Sequence, residues 1–482
     1  MNRRVSTVIV AACMAVGASS ALAIPPAKVA LKGARIIPVV GDDIAVGTLL
    51  IENGRITAIG EKVDVPYDAM VVDVSGKVLM PGMIDAHSSR GLDVPNENLP
   101  VTPFLDVYDA IDPSKLYFED ALRDGVTSVH VVVGNNCVIG SVSRVVHPIG
   151  LTPDEMTLQP AAALKFSVAP KRGWDRMAQM ATFRETFREL DEYLENLAEK
   201  KYEESVEKKD EKIDVGPDEA RKRGRELIKT EDYDDEHRIL VKLTRGAFGA
   251  IIYAGVASDV SRAVALAGDH GFADRSTFVV GPDCYKAVDE LKATGRPVVL
   301  DSELLYRERD PVSGDVKETF VPKVYADAGV EFSLLPSSDN SLAERYLNYQ
   351  AARCVRYGLS RKLALESITI NPARAIGVAD RVGSLEVGKI ANVVVMSGDP
   401  LDFNSWVESV YINGISAYVR DKDVRLKQLL GEEPADVAAE STDSSEDESP
   451  AEAPKPDGSA AEEKAEGADK APADKSSSDK TP

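Results

Sequence analysis

Short runs of almost wholly apolar residues recur through the middle of the chain, at 78–84, 128–133, 162–168, 250–254, 277–280, 297–300 and 331–335, with helical patterns between them. A strand with one wet face alternates apolar and polar residues. Strands that are apolar throughout are covered on both faces, which is the condition of a parallel sheet wrapped by helices. About seven such runs, with an eighth not evident, suit a TIM-type (β/α)8 barrel better than an open sheet. The barrel is expected over 81–382, and 44% hydrophobic content in 482 residues is ample for its core.

The flanks read differently. Residues 24–80 hold short strands and tight turns, among them Asn53-Gly54, a type I′ hairpin signal. The pattern returns over 383–425 with Val393-Val394-Val395 and Asn413-Gly414, so the two ends are expected to build one small composite β-sandwich beside the barrel. From 182 to 237 the chain is rich in Glu, Lys, Arg and Asp at helical spacing, predicting a solvated helical excursion that is either a lid over the mouth or a charged surface hairpin. Residues 431–482 carry almost no large apolar side chain and cannot offset chain entropy, so a disordered acidic tail is expected, acting as a solubiliser or tether.

Residues 1–23 have the form of a secretory leader: Arg3-Arg4, an apolar run from Val5 to Val16, then Ala21-Leu22-Ala23 before the cut. An exported protein, periplasmic or secreted, is the expectation, with a twin-arginine route or lipidation of Cys13 as variants. No stretch reaches the ~18 apolar residues of a membrane span. Net charge of −22, half of it beyond Gly431, disfavours nucleic acid as a partner. Past the leader, Cys137, Cys284 and Cys354 have wide spacings and read as buried free thiols.

Two motifs carry a family resemblance. Val78-Leu79-Met80-Pro81-Gly82-Met83-Ile84-Asp85-Ala86-His87-Ser88-Ser89 resembles the first barrel strand of the amidohydrolase superfamily, where Pro-Gly-x-Ile-Asp is followed by His-x-His. Thr369-Ile370-Asn371-Pro372-Ala373 and Gly383-Ser384-Leu385-Glu386-Val387-Gly388-Lys389-Ile390-Ala391-Asn392 resemble the family's C-terminal helix and its turn into the sandwich, with Asn392 where an aspartate is usual. The look is nearest to the imidazolonepropionase-like group. The resemblance implies hydrolysis of C–N bonds in cyclic amides or related small molecules at a metal held in the barrel mouth, and it suggests a homodimer.

The resemblance also names metal positions. His87 matches the first ligand and Asp339 the metal-binding, proton-shuttling aspartate. Ser89 stands at the second histidine, Tyr253 (or Gly255) at the fifth-strand histidine and Val280 at the sixth. Two ligands do not make a catalytic zinc site, which needs about three and an open position for water. The expectation is therefore a pseudoenzyme without a cofactor that binds a small-molecule ligand or partner at the mouth. The competing expectation is an active amidohydrolase with zinc or another divalent metal in a site rebuilt from His87, His147, Lys165 and Asp339. Lys165 interrupts an apolar strand and reads either as a mouth group, including a carboxylated metal bridge, or as an ion-paired or snorkelling lysine. Asp283 and Cys284 are weaker substitutes, and a Ser-His-Asp arrangement using His87 and Asp339 is a further one. His130 reads as a satisfied core residue, His237 and His270 as surface residues.

Overall fold

The computed structural model describes residues 28–209, 213, 215–336 and 346–431. The leader, Asp339 and the tail past Gly431 lie outside them. The chain forms two compact units, one ending at Asp423 and one starting at Val424, whose described part, residues 424–431, holds the helix Val424–Leu429.

Both ends of the first unit enter one eight-stranded sheet, which turns back on itself so that Arg55 bridges Ile390 and strands of both chain ends share one core. Lys28–Ile36 pairs antiparallel with Ile44–Glu52 along one side. Its other side is shared, parallel, by Met70–Asp73 and then Val78–Pro81. Val78–Pro81 pairs in turn with Val393–Met396, which continues to Val407–Ile412 and Ile415–Val419. The Asn-Gly turns do what their residue types allow: Asn53 and Gly54 have φ of 49° and 77°, Asn413 and Gly414 51° and 73°. The two turns meet, with Ala391 N donating to Gly54 O at 2.8 Å and Gly414 N to Ala391 O at 3.1 Å. Buried Asn392 accepts from Asn413 N through its side-chain oxygen, 3.2 Å away, so the amide that departs from the family pattern holds a turn.

The apolar run at 78–84 is two strands, not one. Val78–Pro81 belongs to the sheet of the chain ends, while Met83–Ser88 opens the barrel. Gly82 is the crossing point: a Cβ there would lie 2.0 Å from Thr127 Oγ1 and 2.2 Å from its Cγ2. The Pro-Gly of the motif is thus a requirement of close approach between backbone and neighbouring strand.

Seven barrel strands run parallel: Met83–Ser88, Val126–Val131, Ala163–Ser167, Gly249–Ala254, Ser276–Val280, Val298–Leu300 and Phe332–Ser333. The third position explains the missing eighth run. It is filled by Ile139–Val142 and Arg144–Val146, which run antiparallel to Ala163–Ser167 and Val126–Val131. The chain therefore turns back at the mouth without a helix. Between the last strand and the first, Ser367 O and Ile368 O accept from Leu334 N and Ile84 N at 2.9 and 3.0 Å. Asn371 of the second motif, 2% exposed, donates to Phe332 O at 3.0 Å. Both motifs are therefore seams of the fold.

The charged excursion begins with the helix Arg176–Glu207, capped by Asp175, whose carboxylate accepts from Ala178 N. Phe183, Phe187 and Leu190 recur at helical spacing and are buried; Phe183 stacks on Phe166 of the barrel wall with ring centroids 6.1 Å apart. The later half packs instead on the helix Pro217–Arg225, where Tyr202, Val206 and Ala220 form a small separate core. The contact is made at Gly224, whose added Cβ would sit 1.7 Å from Ala198 O. Gly224→Ala is expected to loosen this hairpin by about 1–3 kcal/mol. Hydrogen exchange should quicken over 195–225 and stay unchanged in the barrel strands; equal protection in both proteins would refute the close crossing.

Candidate active site at the barrel mouth

Register decides which side chains share the barrel interior. In a parallel sheet, paired residues face the same side and their neighbours along the strand face the other. Ser167 pairs with Tyr253 and Tyr253 with Val279, whereas Phe166 pairs with Ile252 and Phe278. Phe166 stacks on Phe183 and Phe272 in the helical layer, so Lys165, Ser167, Tyr253 and Val279 face inward. Val280, placed by sequence at a ligand position, pairs with Ala254 on the helix-facing side. The sixth-strand position facing the mouth is Val279, one residue back, and it offers no donor either.

Lys165 is the centre of the inward-facing group. It is fully buried, and its Nζ donates to His87 Nε2 at 2.8 Å and to Asn135 Oδ1 at 2.7 Å. The Tyr253 ring lies 5.5 Å from Nζ, centroid to atom. Neither ion-paired with a described carboxylate nor snorkelling, the lysine departs from both of its bland expectations. Burial lowers its pKa to about 8. Burial first, then the Lys165 charge, holds His87 well below its ordinary range. A neutral ring accepting at Nε2 carries its proton on Nδ1.

The shell around this group is hydrogen-bonded. His87 N donates to buried Asp85 Oδ1 at 3.2 Å, and Tyr117 OH donates to the other carboxylate oxygen at 2.9 Å. Burial raises the Asp85 pKa against the Tyr117 hydrogen bond. His130 is the satisfied core residue expected: Nδ1 donates to Ala86 O at 3.0 Å, and Nε2 meets the Ser143 hydroxyl at 2.7 Å. Burial lowers its pKa to about 4.

Not every expected residue comes to the mouth. His147 donates from Nδ1 to Thr127 O at 2.9 Å, near the start of the second strand and 3.5 Å from Asn392. It therefore sits at the end of the barrel opposite the mouth. His237 and His270 are half-buried rather than plain surface residues, with rings stacked on Tyr193 and Phe187 at 4.0 and 3.6 Å. Cys284 donates to Ala254 O at 3.4 Å, a buried thiol whose pKa burial raises to about 12. Ser89 is half-buried beside the loop that follows the first strand. Asn135 was not anticipated; the signal was available in Gly134-Asn135-Asn136, two amides directly after an apolar strand, which is where mouth residues lie.

The donor set decides how well a metal fits. Among the described residues, no three His, Cys, Asp or Glu side chains lie together as a metal would require. The one imidazole at the mouth is engaged at Nε2 by an ammonium. The described residues, which do not include Asp339, thus supply too few free donors to hold a catalytic divalent ion by themselves.

The fold and motifs place the chain in a known class, and direct comparison agrees. The chain belongs to the amidohydrolase family, whose model matches residues 78–417. It is similar to an amidohydrolase from Thermotoga maritima MSB8, with 27% identity and a TM-score of 0.68 over 81% of this chain and 100% of that one. Amidohydrolase tasK of Hapsidospora irregularis is 24% identical over 400 residues, 77% of this chain; the chain spans 40% of that relative's length. An imidazolonepropionase of Symbiobacterium thermophilum is 54% identical over 44 residues, 9% of this chain. Among the described residues, no helix is long and apolar enough to cross a membrane.

Proposed function

We propose that this protein comes from a C–N-bond-hydrolysing lineage, has lost metal-dependent hydrolysis, and uses the barrel mouth to bind a small-molecule ligand. One observation carries the reading: the Lys165 ammonium hydrogen-bonds the one mouth histidine, His87, at 2.8 Å. A cation beside that nitrogen is incompatible with a second cation on it, because the lone pair is already used and like charges repel at that distance. Ser89, Tyr253 and Val279 supply no replacement imidazole or carboxylate. The leader makes the site one that works outside the cytoplasm, in the periplasm or beyond.

A second reading draws support from the same contact. A lysine on the fourth barrel strand beside His87 could be carboxylated and, with Asp339, rebuild a metal site for an active C–N hydrolase of cyclic-amide or dipeptide-like substrates. Elemental analysis separates the two. Purified full-length protein, exposed to equimolar zinc with bicarbonate and then desalted, is expected to retain well under 0.1 metal per chain, with no change in His87→Ala. Near-stoichiometric zinc, lost in His87→Ala and Asp339→Ala, would establish the hydrolase instead.

A further inference from the structure

Among the described residues, the ammonium at the mouth has no opposite charge beside it. Its three N–H donors have two acceptors among the described residues, His87 Nε2 and Asn135 Oδ1, and both are neutral. Tyr253 offers the face of a ring, which attracts a cation without neutralising it. No described carboxylate forms an ion pair with Lys165, and the Asp85 oxygens are taken by Tyr117 and the His87 backbone. A buried charge with polar but uncharged partners costs several kcal/mol, which an opposite charge brought beside it would offset. The side chains around it are not sealed: His87, Asn135 and Tyr253 each keep part of their surface in contact with solvent.

We propose that the mouth of this barrel binds a small carboxylate, with Lys165 as its fixed counter-charge and with His87 and Asn135 as the residues that position the ammonium. This deepens the metal-free reading of the same site and rests on it. The choice of a singly charged ligand follows from the inventory. One ammonium with one uncommitted N–H matches one carboxylate oxygen in strength and geometry. A guanidinium would add a fork for two oxygens, and a phosphate dianion would call for more than one cation. Tyr253, whose ring lies 5.5 Å from the Lys165 ammonium, gives the organic part of the ligand an aromatic wall. The protein thus replaces a metal that polarises an amide with a point charge that recognises an acid.

The test uses matched pairs in which charge is the main difference: acetate and acetamide, benzoate and benzamide, N-acetylglycine and N-acetylglycinamide. Binding to the full chain is measured by titration calorimetry and by ligand-observed NMR. In every pair that binds, the carboxylate is expected to bind at least tenfold more tightly than its amide. Lys165→Met should abolish the difference while leaving the circular dichroism spectrum unchanged. Asn135→Ala, which leaves the charge in place, should weaken carboxylate binding several-fold. Inorganic phosphate, run beside the pairs, is expected to bind more weakly than the best carboxylate. Absence of carboxylate preference in all three pairs, a preference that survives Lys165→Met, or tighter binding of phosphate overturns the proposal. Metal content is measured on the same preparation. Stoichiometric zinc removes the metal-free reading, whereas a metal-free protein indifferent to carboxylates removes this inference alone.

Discussion

Lys165→Met is expected to unfold at higher urea concentration than the native protein at pH 7, an outcome opposite to that of most core substitutions. The lysine is fully buried, and burial lowers its pKa from 10.5 to about 8. Below pH 8 both folded and unfolded chains carry the proton, so the folded state bears the whole cost of the buried charge. Between 8 and 10.5 the unfolded chain binds more protons, and folding stability rises with pH until the gain is complete. The displacement corresponds to about 3 kcal/mol. Methionine removes that cost and fills nearly the same volume, while His87 and Asn135, both partly exposed, turn to water for the lost donors. A net gain of about 1–3 kcal/mol at pH 7, shrinking towards zero by pH 10.5, is the expected result. Equal or lower stability of the variant at pH 7, with parallel pH profiles, would mean that the ammonium already has an internal counter-charge.

Gly82→Ala is expected to cost more than any other single methyl added to the chain ends. The new carbon would lie 2.6 Å from Thr127 Cβ as well as 2.0 Å from its hydroxyl, so rotating the threonine does not relieve it. Either the first barrel strand or the second must move, at the point where the chain passes from one sheet to the other. A loss of about 3 kcal/mol follows from overpacking between strands that are hydrogen-bonded in place. Thr127→Gly in the same chain removes all three contacting atoms and should return more than half of the loss caused by Gly82→Ala, measured against Thr127→Gly alone. Additive losses in the double variant would show that the strain lies elsewhere.

What was legible in the sequence followed from periodicity and from residues with few alternatives. Fully apolar runs gave the parallel strands, Asn-Gly gave two turns, and Pro81-Gly82 and Asn371-Pro372 marked positions that prove to be junctions. The third barrel position was hidden because Ile139–Val146 mixes Gly and Ser into its apolar residues, and direction along a sheet leaves no trace in composition. Val280 was misplaced for a related reason. A strand repeats every two residues, so a count that is off by one exchanges the two faces, and only the pairing of Val279 with Tyr253 fixes it. Lys165 stood out as a charge in an apolar run, but its partners come from 78 and 30 residues away, a proximity that local patterns do not encode.

The sheet that joins the two chain ends has a consequence for biosynthesis. Val78–Pro81 finds its long partner only in Val393–Met396. At about 5–20 residues per second, the roughly 310 residues between them take about 15–60 s to translate. Throughout that interval a nascent chain presents an apolar, half-paired ribbon that invites wrong neighbours. Completion of this sheet is therefore a late event, gated by the arrival of its last strands.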